Sequence, residues 1–372
     1  MSTLHLAVAL DGTGRHPASW REPGARPGEL FTARYWADVV AEAEAGLLDF
    51  VTFEDGLALQ SSSPVAPDDR TDRVRGRLDA VLTAARVAPL TRHIGLVPTV
   101  TATHTEPFHV SKAIATLDHV SKGRAGLLVR VSGLPYEARH FGRRSFPVPV
   151  GELTEEATDH VEVVRRLWDS WEDDAEIRDV ATGRFVDRAK LHHIDFEGPH
   201  FSVRGPSITP RPPQGQPLVT APSGVLHGSA DLLYVTPRDA DEARSAVARA
   251  AGGPAHVFGD LTVFLDEDGP AAAGRLARLD ELAGGPYDDD AATFTGTPAQ
   301  LADLLQDWRE AGLSGFRLRP GTIADDLPAI TRALVPELRR RGAFRPGYGA
   351  GTLRGLLGLD RPGNRYSDRP AA

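Results

Sequence analysis

The sequence predicts an α/β fold: a single (β/α)8 barrel of the TIM type, with insertions and a shortened connection between the fifth and sixth strands. Short apolar runs alternate with amphipathic helical segments, which is the pattern of a parallel sheet covered by helices. Eight such runs occur along the 372 residues, and no linker-like segment divides them. One barrel therefore fits better than two domains, and we expect one domain over residues 1–372.

The predicted strands are short runs rich in β-branched, leucine and aromatic residues. They lie at 4–10, 50–53, 94–97, 125–131, 217–220, 232–235, 256–265 and 316–318. The first helix has apolar residues at helical spacing, with Trp36, Val39, Val40, Ala43 and Leu47 on one face. This spacing places an apolar stripe against the sheet. Comparable stripes predict helices near 78–85, 107–119, 161–171, 298–311 and 327–338.

Three segments depart from the regular alternation. Residues 178–215 are rich in proline, glycine and aromatic side chains, which predicts an ordered insertion, because long loops in compact domains are usually functional or structured. Residues 342–372 form a C-terminal tail, and we expect both segments to cover the pocket or an oligomer interface. Only about ten residues separate the fifth and sixth strands, whereas a parallel crossover needs a dozen or more. We expect either a single helical turn there or a locally irregular barrel.

The composition excludes several classes of protein. The net charge of −9 argues against a nucleic-acid surface, which needs a basic stripe. No apolar run is long enough to span a membrane, and the N-terminus lacks the basic and apolar regions of a secretory signal. The absence of cysteine excludes disulfides, thiolate catalysis and cysteine metal sites. We therefore expect a cytoplasmic protein.

The usual short catalytic motifs are missing. Gly12 and Gly14 follow the first strand, but Pro17 occupies the place of the third glycine in a dinucleotide-binding turn. His192 and His193 have no carboxylate at metal-ligand spacing, so we predict no metal site. The sequence has no phosphate-binding loop lysine, zinc-protease motif or nucleophile elbow.

Polar residues follow several predicted strands, at the end of the barrel where active sites of this fold lie. Thr99, Thr101 and Thr103 alternate after the third strand, a pattern that suits either hydrogen bonds to a polar heterocycle or ordinary β propensity and capping. Glu54 and Asp55 end the second strand, where they serve either as a base or as partners of a helix terminus or an arginine. These residues alone indicate a barrel enzyme with a polar pocket.

Several stretches together resemble one enzyme family. One of them runs Asp118-His119-Val120-Ser121-Lys122-Gly123-Arg124, within the longer match 107–124. The others are 16–21, 94–103, 167–175, 200–206, 210–215 and 335–359. In this order they resemble the nitrilotriacetate monooxygenase-like branch of the bacterial luciferase-like, flavin-dependent monooxygenases.

The resemblance implies a TIM-type barrel that oxidises a small organic substrate with O2 and reduced FMN. A separate flavin reductase would deliver the FMN in a transient encounter, and family precedent implies a homodimer. It also implies His16 and His140 as catalytic residues, beside Trp20 on the substrate side. The cofactor-binding residues implied are Asp55, Thr99, Thr101, Ser132, Ser223 and Gly224.

The chain departs from this family mainly around the flavin. Leu127 and Leu128 stand where relatives have a Trp-Asn pair, His140 replaces an asparagine, and 153–154 lack an expected Arg-Tyr pair. The loop and helix that hold the FMN phosphate are shortened to 222–230, and a helix N-terminus is what such a site uses. FMN binding should weaken unless His140, His227 or Arg130 replaces the lost contacts.

Three hypotheses follow from this resemblance and its departures. The first is an FMN-dependent monooxygenase with a rebuilt phosphate pocket. The second is a non-catalytic luciferase-like homologue that acts as a ligand-binding or partner subunit. The third is use of the deazaflavin F420, which the matched stretches favour less than FMN.

Overall fold

A closed parallel barrel forms the centre of the computed structural model, which describes residues 4–63, 66–226 and 228–367. Each barrel strand pairs in parallel with the strand before and after it, and the last pairs with the first, so the predicted (β/α)8 fold is confirmed. The strands are β1 (His5–Leu10), β2 (Phe50–Phe53), β3 (Gly95–Thr101), β4 (Gly126–Arg130), β5 (Leu218–Pro222), β6 (Leu232–Val235), β7 (His256–Leu265) and β8 (Gly315–Pro320).

Helices surround the barrel on its outer face, except for the last one, which lies at the end opposite the mouth. They are α1 (Ala33–Ala45), α2 (Ala80–Val87), α3 (Pro107–Ser121), α4 (Pro135–Phe141), α5 (Val150–Asp169), α6 (Ala240–Arg249), α7 (Gly269–Ala283), α8 (Pro298–Glu310), α9 (Ile323–Ala329), α10 (Val335–Arg340) and α11 (Leu353–Leu356). A π-helical turn, Ile330–Leu334, joins α9 to α10. Short 3-10 turns occur at Ser19–Arg21, Pro27–Glu29, Ala88–Leu90, Ala102–His104 and Arg188–Lys190. None of the described helices is both long and apolar enough to cross a lipid bilayer.

Alternate strand residues divide the core into two layers, because successive side chains of a strand point to opposite faces. Leu6, Val8 and Val51 belong to the larger cluster, between the barrel and its helices. Phe50 and Val97 belong to a second cluster, inside the barrel. The same alternation continues to the carboxyl end of each strand, so it also determines which polar side chains point into the mouth of the barrel.

The connection between β5 and β6 contains no helix among its described residues. After Pro222 the chain makes a turn in which the Val225 amide donates to the Pro222 carbonyl, and β6 begins at Leu232. The two strands still pair, with Thr220 opposite Leu232. Of the two expected outcomes, the structure shows the irregular connection and not a helical turn.

One strand of the main parallel sheet was not expected from the sequence. Ala292–Gly296 pairs in parallel with the outer half of β7, which is long enough to carry partners on both edges. The segment that leads into this strand, 286–290, runs along the mouth of the barrel and contributes side chains there.

The insertion at 178–215 is ordered and packs on the outer surface of α5. Within and beside it lie two short hairpins, of strands Glu176–Asp179 with Arg184–Val186 and Phe196–Glu197 with Ser202–Val203. Ile194 and Phe196 form a small core with Val163 and Leu167 of α5. This segment lines neither of the two cavities described below.

The C-terminal tail closes the end of the barrel opposite the mouth. Leu353 and Leu357 join the core inside the barrel. Gly95 opens β3 against Leu353, and a Cβ at Gly95 would lie 2.6 Å from that side chain, so a larger residue would displace the tail. His256 Nε2 lies 2.9 Å from the Leu357 carbonyl oxygen. The tail therefore does not cover a pocket at the mouth.

Candidate active site

Two neighbouring cavities open at the carboxyl ends of the barrel strands, where active sites of this fold lie. The β5-side cavity has a volume of about 720 Å³ and lies beside β4, β5, β6 and the start of α6. The β1-side cavity has a volume of about 430 Å³ and lies between the loop after β1, the segment around 60–74 and the segment 283–289. Both are in the size range of small-molecule sites.

Asp260 of β7 holds two arginines of β8 inside the barrel. Arg317 donates to it through Nε at 2.8 Å and Nη2 at 2.5 Å, and Arg319 donates through Nη2. All three side chains are nearly inaccessible to water. Burial alone would raise the pKa of Asp260, but the two guanidinium groups outweigh it and lower that pKa. Asp260 therefore remains a carboxylate.

Asp289 extends these ion pairs toward β1. Its carboxylate accepts from Arg15 Nη2 at 3.0 Å, from Arg319 Nη1 at 3.3 Å and from the Tyr287 hydroxyl at 2.7 Å. Arg15 and Asp289 line the β1-side cavity, whereas Arg319 lines the β5-side cavity. These ion pairs form the wall between the two cavities.

Glu54 at the end of β2 joins the same network from the other side. Its Oε1 lies 3.2 Å from Arg317 Nη1, and its Oε2 lies 3.5 Å from Arg130 Nη1. Burial would raise the pKa of Glu54, but Arg317 and Arg130 outweigh it and lower the pKa to about 2. Glu54 is thus a hydrogen-bond acceptor at neutral pH and not a proton donor.

Tyr234 of β6 lies beneath the Arg317 guanidinium, whose central carbon is 3.9 Å from the ring centroid. Burial raises the pKa of the phenol, so it stays neutral. The ring and the guanidinium together make a flat, rigid surface at one wall of the β5-side cavity.

The predicted threonines lie on β3 at the depth of this network. Thr99 is one residue beyond the Phe53–Pro98 pair, which places it level with Glu54. It is buried, and its hydroxyl has no hydrogen-bond partner within the described ranges. Thr101 is also buried and pairs in register with Arg130. The structure therefore brings Thr99 and Thr101 close to Glu54 and Arg130.

The other predicted cofactor-binding residues occupy three different settings. Ser132 is buried after β4, and its amide donates to the Thr103 hydroxyl at 2.9 Å. Ser223 and Gly224 are exposed in the turn after β5, where Ser223 lines the β5-side cavity. Asp55 accepts the Gly56 and Ala80 amides at 2.7 and 2.9 Å, so it holds the start of α2. Their contact with a flavin stays a prediction.

The two histidines predicted to be catalytic are not brought together. His16 is buried in the β1-side cavity, with Nε2 3.1 Å from Asp280 Oδ1 and Nδ1 accepting the Ala18 amide at 3.1 Å. Burial lowers its pKa despite Asp280, so the ring is neutral and both nitrogens are engaged. His140 is exposed in the last turn of α4 and lines neither cavity. A catalytic role for either stays a prediction, and His227 lies outside the described residues.

Sequence reasoning missed the partners in the ion-pair wall, Asp260 and Asp289. A signal was present, since β7 and β8 each carry charged residues at inward positions, as with Arg317 and Arg319. A charged residue at an inward position of a barrel strand needs a partner nearby. Within residues 4–63, 66–226 and 228–367, no group of three or more His, Asp or Glu side chains is arranged to hold a metal ion.

Comparison with known proteins gives a consistent result. Residues 13–257 match a family described as luciferase-like monooxygenase. Nitrilotriacetate monooxygenase component A of Aminobacter aminovorans is 31% identical, over 97% of this chain and 97% of the relative. One of the subunits of pristinamycin IIA synthase from Streptomyces pristinaespiralis is 32% identical, over 81% of this chain and 84% of the relative. A riboflavin lyase solved with modified FMN and riboflavin superposes with a TM-score of 0.82 and 25% identity, over 100% of this chain and 99% of that one.

The nitrilotriacetate relative carries segments that this chain lacks. Their alignment spans 442 positions, whereas this chain has 372 residues, so the relative carries segments with no counterpart here.

Proposed function

The chain belongs to the luciferase-like monooxygenase family, and from this premise we propose that it oxidises a small organic substrate with O2 and reduced FMN supplied by a separate flavin reductase. The observation that carries the proposal is the β5-side cavity, which opens at the carboxyl ends of the strands and ends on the Tyr234–Arg317 surface. A flat wall with charged groups around it suits a heterocyclic ring.

The residues present fit a flavin ring. The Thr99 hydroxyl is buried without a partner among the described residues, and such a group costs stability until a ligand satisfies it. The edge of a flavin carries N–H and C=O groups that can do so. The phosphate end has no helix N-terminus in the described turn after β5, but Arg130 and Ser223 line the cavity on that side. The site therefore fits FMN with phosphate contacts of a different kind.

When bound, reduced FMN supplies the electrons and the chemistry that activates O2. The protein would bind and orient the cofactor. Thr99 and Thr101 would hold the ring edge, Ser132, Ser223 and Gly224 would contact the far end, and Asp55 keeps α2 in place. Glu54 and Asp260 stay ionised, so they fix Arg317 rather than transfer protons. The buried ion pairs also keep bulk water out of the interior of the barrel.

The β1-side cavity is the proposed site for the polar end of the substrate, whose reacting atom would have to extend past the ion-pair wall into the β5-side cavity to meet the flavin. Its lining is mostly polar, with His16 and Arg15 on one side and Tyr287 on another. Arg73 also lines it, with Nε buried and no hydrogen-bond partner in the described part of the chain. A small substrate with a polar or anionic group fits such a cavity better than a long apolar chain. His16 then acts as a positioning residue, through its bond to Asp280.

A second candidate function is that of a partner subunit that does not bind flavin itself. The lack of a helix in the described turn after β5 favours it, as does the similarity to one of the subunits of pristinamycin IIA synthase. The two candidate functions differ in whether this chain binds reduced FMN. A partner subunit would leave reduced FMN unbound and would form a stable complex with a flavin-binding homologue.

The proposal is tested by supplying reduced FMN from an unrelated reductase under ¹⁸O2, with a panel of small carboxylates, thioethers and amines. The expected result is a product that carries one ¹⁸O atom and forms only when the chain is present. The rate of reduced-FMN oxidation should also change when the chain is added. No labelled product, together with an unchanged oxidation rate, would contradict the proposal.

A further inference from the structure

The charged side chains that line the β1-side cavity are equal in number and mostly paired. They are Arg15, Arg70, Arg73, Asp11, Asp288 and Asp289, beside the neutral ring of His16. Arg15 pairs with Asp11 at 3.5 Å and with Asp289 at 3.0 Å. Arg70 pairs with Asp72, which does not line the cavity. These pairs leave one arginine and one aspartate of the lining, Arg73 and Asp288.

Arg73 has no ion pair and no hydrogen bond among the residues that the structure describes. Its Nε is buried without a partner, and the neighbouring Asp72 is engaged by Arg70 through Nε at 2.9 Å. Arg75, two residues further on, pairs with Asp68 and does not line the cavity. A buried N–H without an acceptor costs free energy until a ligand supplies one. Arg73 is therefore available to an anionic group of a ligand.

Asp288 lies on another wall of the same cavity, in the segment 283–289. It is exposed and has no ion pair or hydrogen bond within the described ranges. The charges that the protein does not pair in this cavity are thus one cation and one anion, on two different walls. A ligand that carries one charge of each sign matches them better than a dianion or a dication does.

We propose that the β1-side cavity binds the zwitterionic head of an α-amino acid, with its carboxylate on Arg73 and its ammonium group on Asp288. The proposal rests on the proposed function and adds to it the chemical class of the substrate. A guanidinium can donate two hydrogen bonds to a carboxylate at once. The cavity, of about 430 Å³, is large enough for such a head. The side chain of the amino acid then extends past the ion-pair wall toward the β5-side cavity.

The test measures amino-acid binding by the full-length protein without flavin, so it does not depend on the cofactor. Melting temperatures with each standard α-amino acid and with S-methylcysteine, at millimolar concentration, identify the compound that stabilises the protein most. Calorimetry then compares that amino acid with its N-acetyl derivative, which lacks the cation, and with its amide, which lacks the anion.

The same comparison is made with two variants of the cavity, Arg73→Gln and Asp288→Asn. Arg238→Gln and Glu281→Gln are the matched controls, because both remove an exposed charge that lines neither cavity. Circular dichroism checks that every variant is folded.

We expect at least one amino acid to raise the melting temperature. It should bind about tenfold or more tightly than its amide, which loses the charge-assisted bond to Arg73. It should bind about two- to fivefold more tightly than its N-acetyl derivative, a smaller factor because Asp288 is exposed. Arg73→Gln should remove the first preference and Asp288→Asn the second, whereas the control variants should keep both.

Three results would overturn the inference: no stabilisation by any of these amino acids, equal binding of the amino acid and either derivative, or preferences that persist in Arg73→Gln and Asp288→Asn. None of them removes the proposed function, because labelled oxygen could still enter a substrate of another class. Amino-acid binding as expected, without any labelled product or change in the oxidation of reduced FMN, would instead remove the proposed function and leave the binding site in place.

Discussion

Asp260 is a single carboxylate that pairs with two arginines inside the barrel. Replacing it by Asn keeps the shape but leaves Arg317 and Arg319 with too little negative charge nearby. We expect Asp260→Asn to lower the free energy of unfolding by about 3 to 5 kcal/mol, the usual cost of breaking a buried ion pair. Urea unfolding measures it. Asp241→Asn, in an exposed pair with Arg244, is the control and should stay close to wild type.

Replacing Thr99 distinguishes a role in flavin binding from a role in stability. Its buried hydroxyl has no described partner, so Thr99→Val should leave the free energy of unfolding unchanged or slightly higher. The same substitution should lower flavin affinity about five- to tenfold, by removing one hydrogen bond to the ring. Fluorescence titration and urea unfolding measure the two effects.

Thr220→Val is the control for this substitution. Thr220 is buried in the neighbouring part of the barrel, but its hydroxyl donates to the Leu127 carbonyl at 3.3 Å, so its loss should cost stability. A Thr99→Val variant that loses stability in the same way, with unchanged flavin affinity, would contradict the account.

At the scale of single elements, α5 carries a titratable group in its buried face. Burial lowers the pKa of His160 to about 4, whereas an unfolded histidine titrates near 6.5. The unfolded chain therefore binds a proton first as the pH falls, and stability is lost between about pH 6.5 and pH 4. We expect His160 alone to account for about 2 kcal/mol of the loss between about pH 7 and pH 5.

His160→Leu should therefore flatten the dependence of unfolding free energy on pH, measured in urea at both pH values. His109→Leu, on the exposed face of α3, is the matched control and should keep the wild-type slope. Equal slopes for His160→Leu and wild type would show that another group causes the acid sensitivity.

Most helices and strands of the barrel were predicted from the sequence. The stripe containing Val39 and Val40 predicted α1 and its buried face. The ten residues after β5 predicted either a single helical turn or an irregular connection, and the structure has the second. The strand Ala292–Gly296 was missed because only its pairing with the outer half of β7 makes it a strand. Asp260 and Arg317 are 57 residues apart, and they meet only because β7 and β8 are neighbours in the closed barrel.

At the scale of the whole molecule, the C-terminal tail packs at the end of the barrel opposite the two cavities. Leu353 of the tail is fully buried in the interior core, so Leu353→Ala should lower the free energy of unfolding by about 2 to 5 kcal/mol. Flavin affinity should not change, because the cavities lie at the other end. Leu282→Ala, at a site that is 38% exposed, is the control and should have a smaller effect. A loss of flavin binding in folded Leu353→Ala would contradict this separation.

The central claim is that the mouth of this barrel binds reduced FMN, and an anaerobic titration tests it most directly. Purified chain is titrated with reduced FMN, and the fluorescence of its five tryptophans is the signal. The account predicts saturable binding in the micromolar range or tighter, weakened by Thr99→Val and unaffected by Leu353→Ala. A signal that never saturates, or one identical in wild type and Thr99→Val, would contradict it.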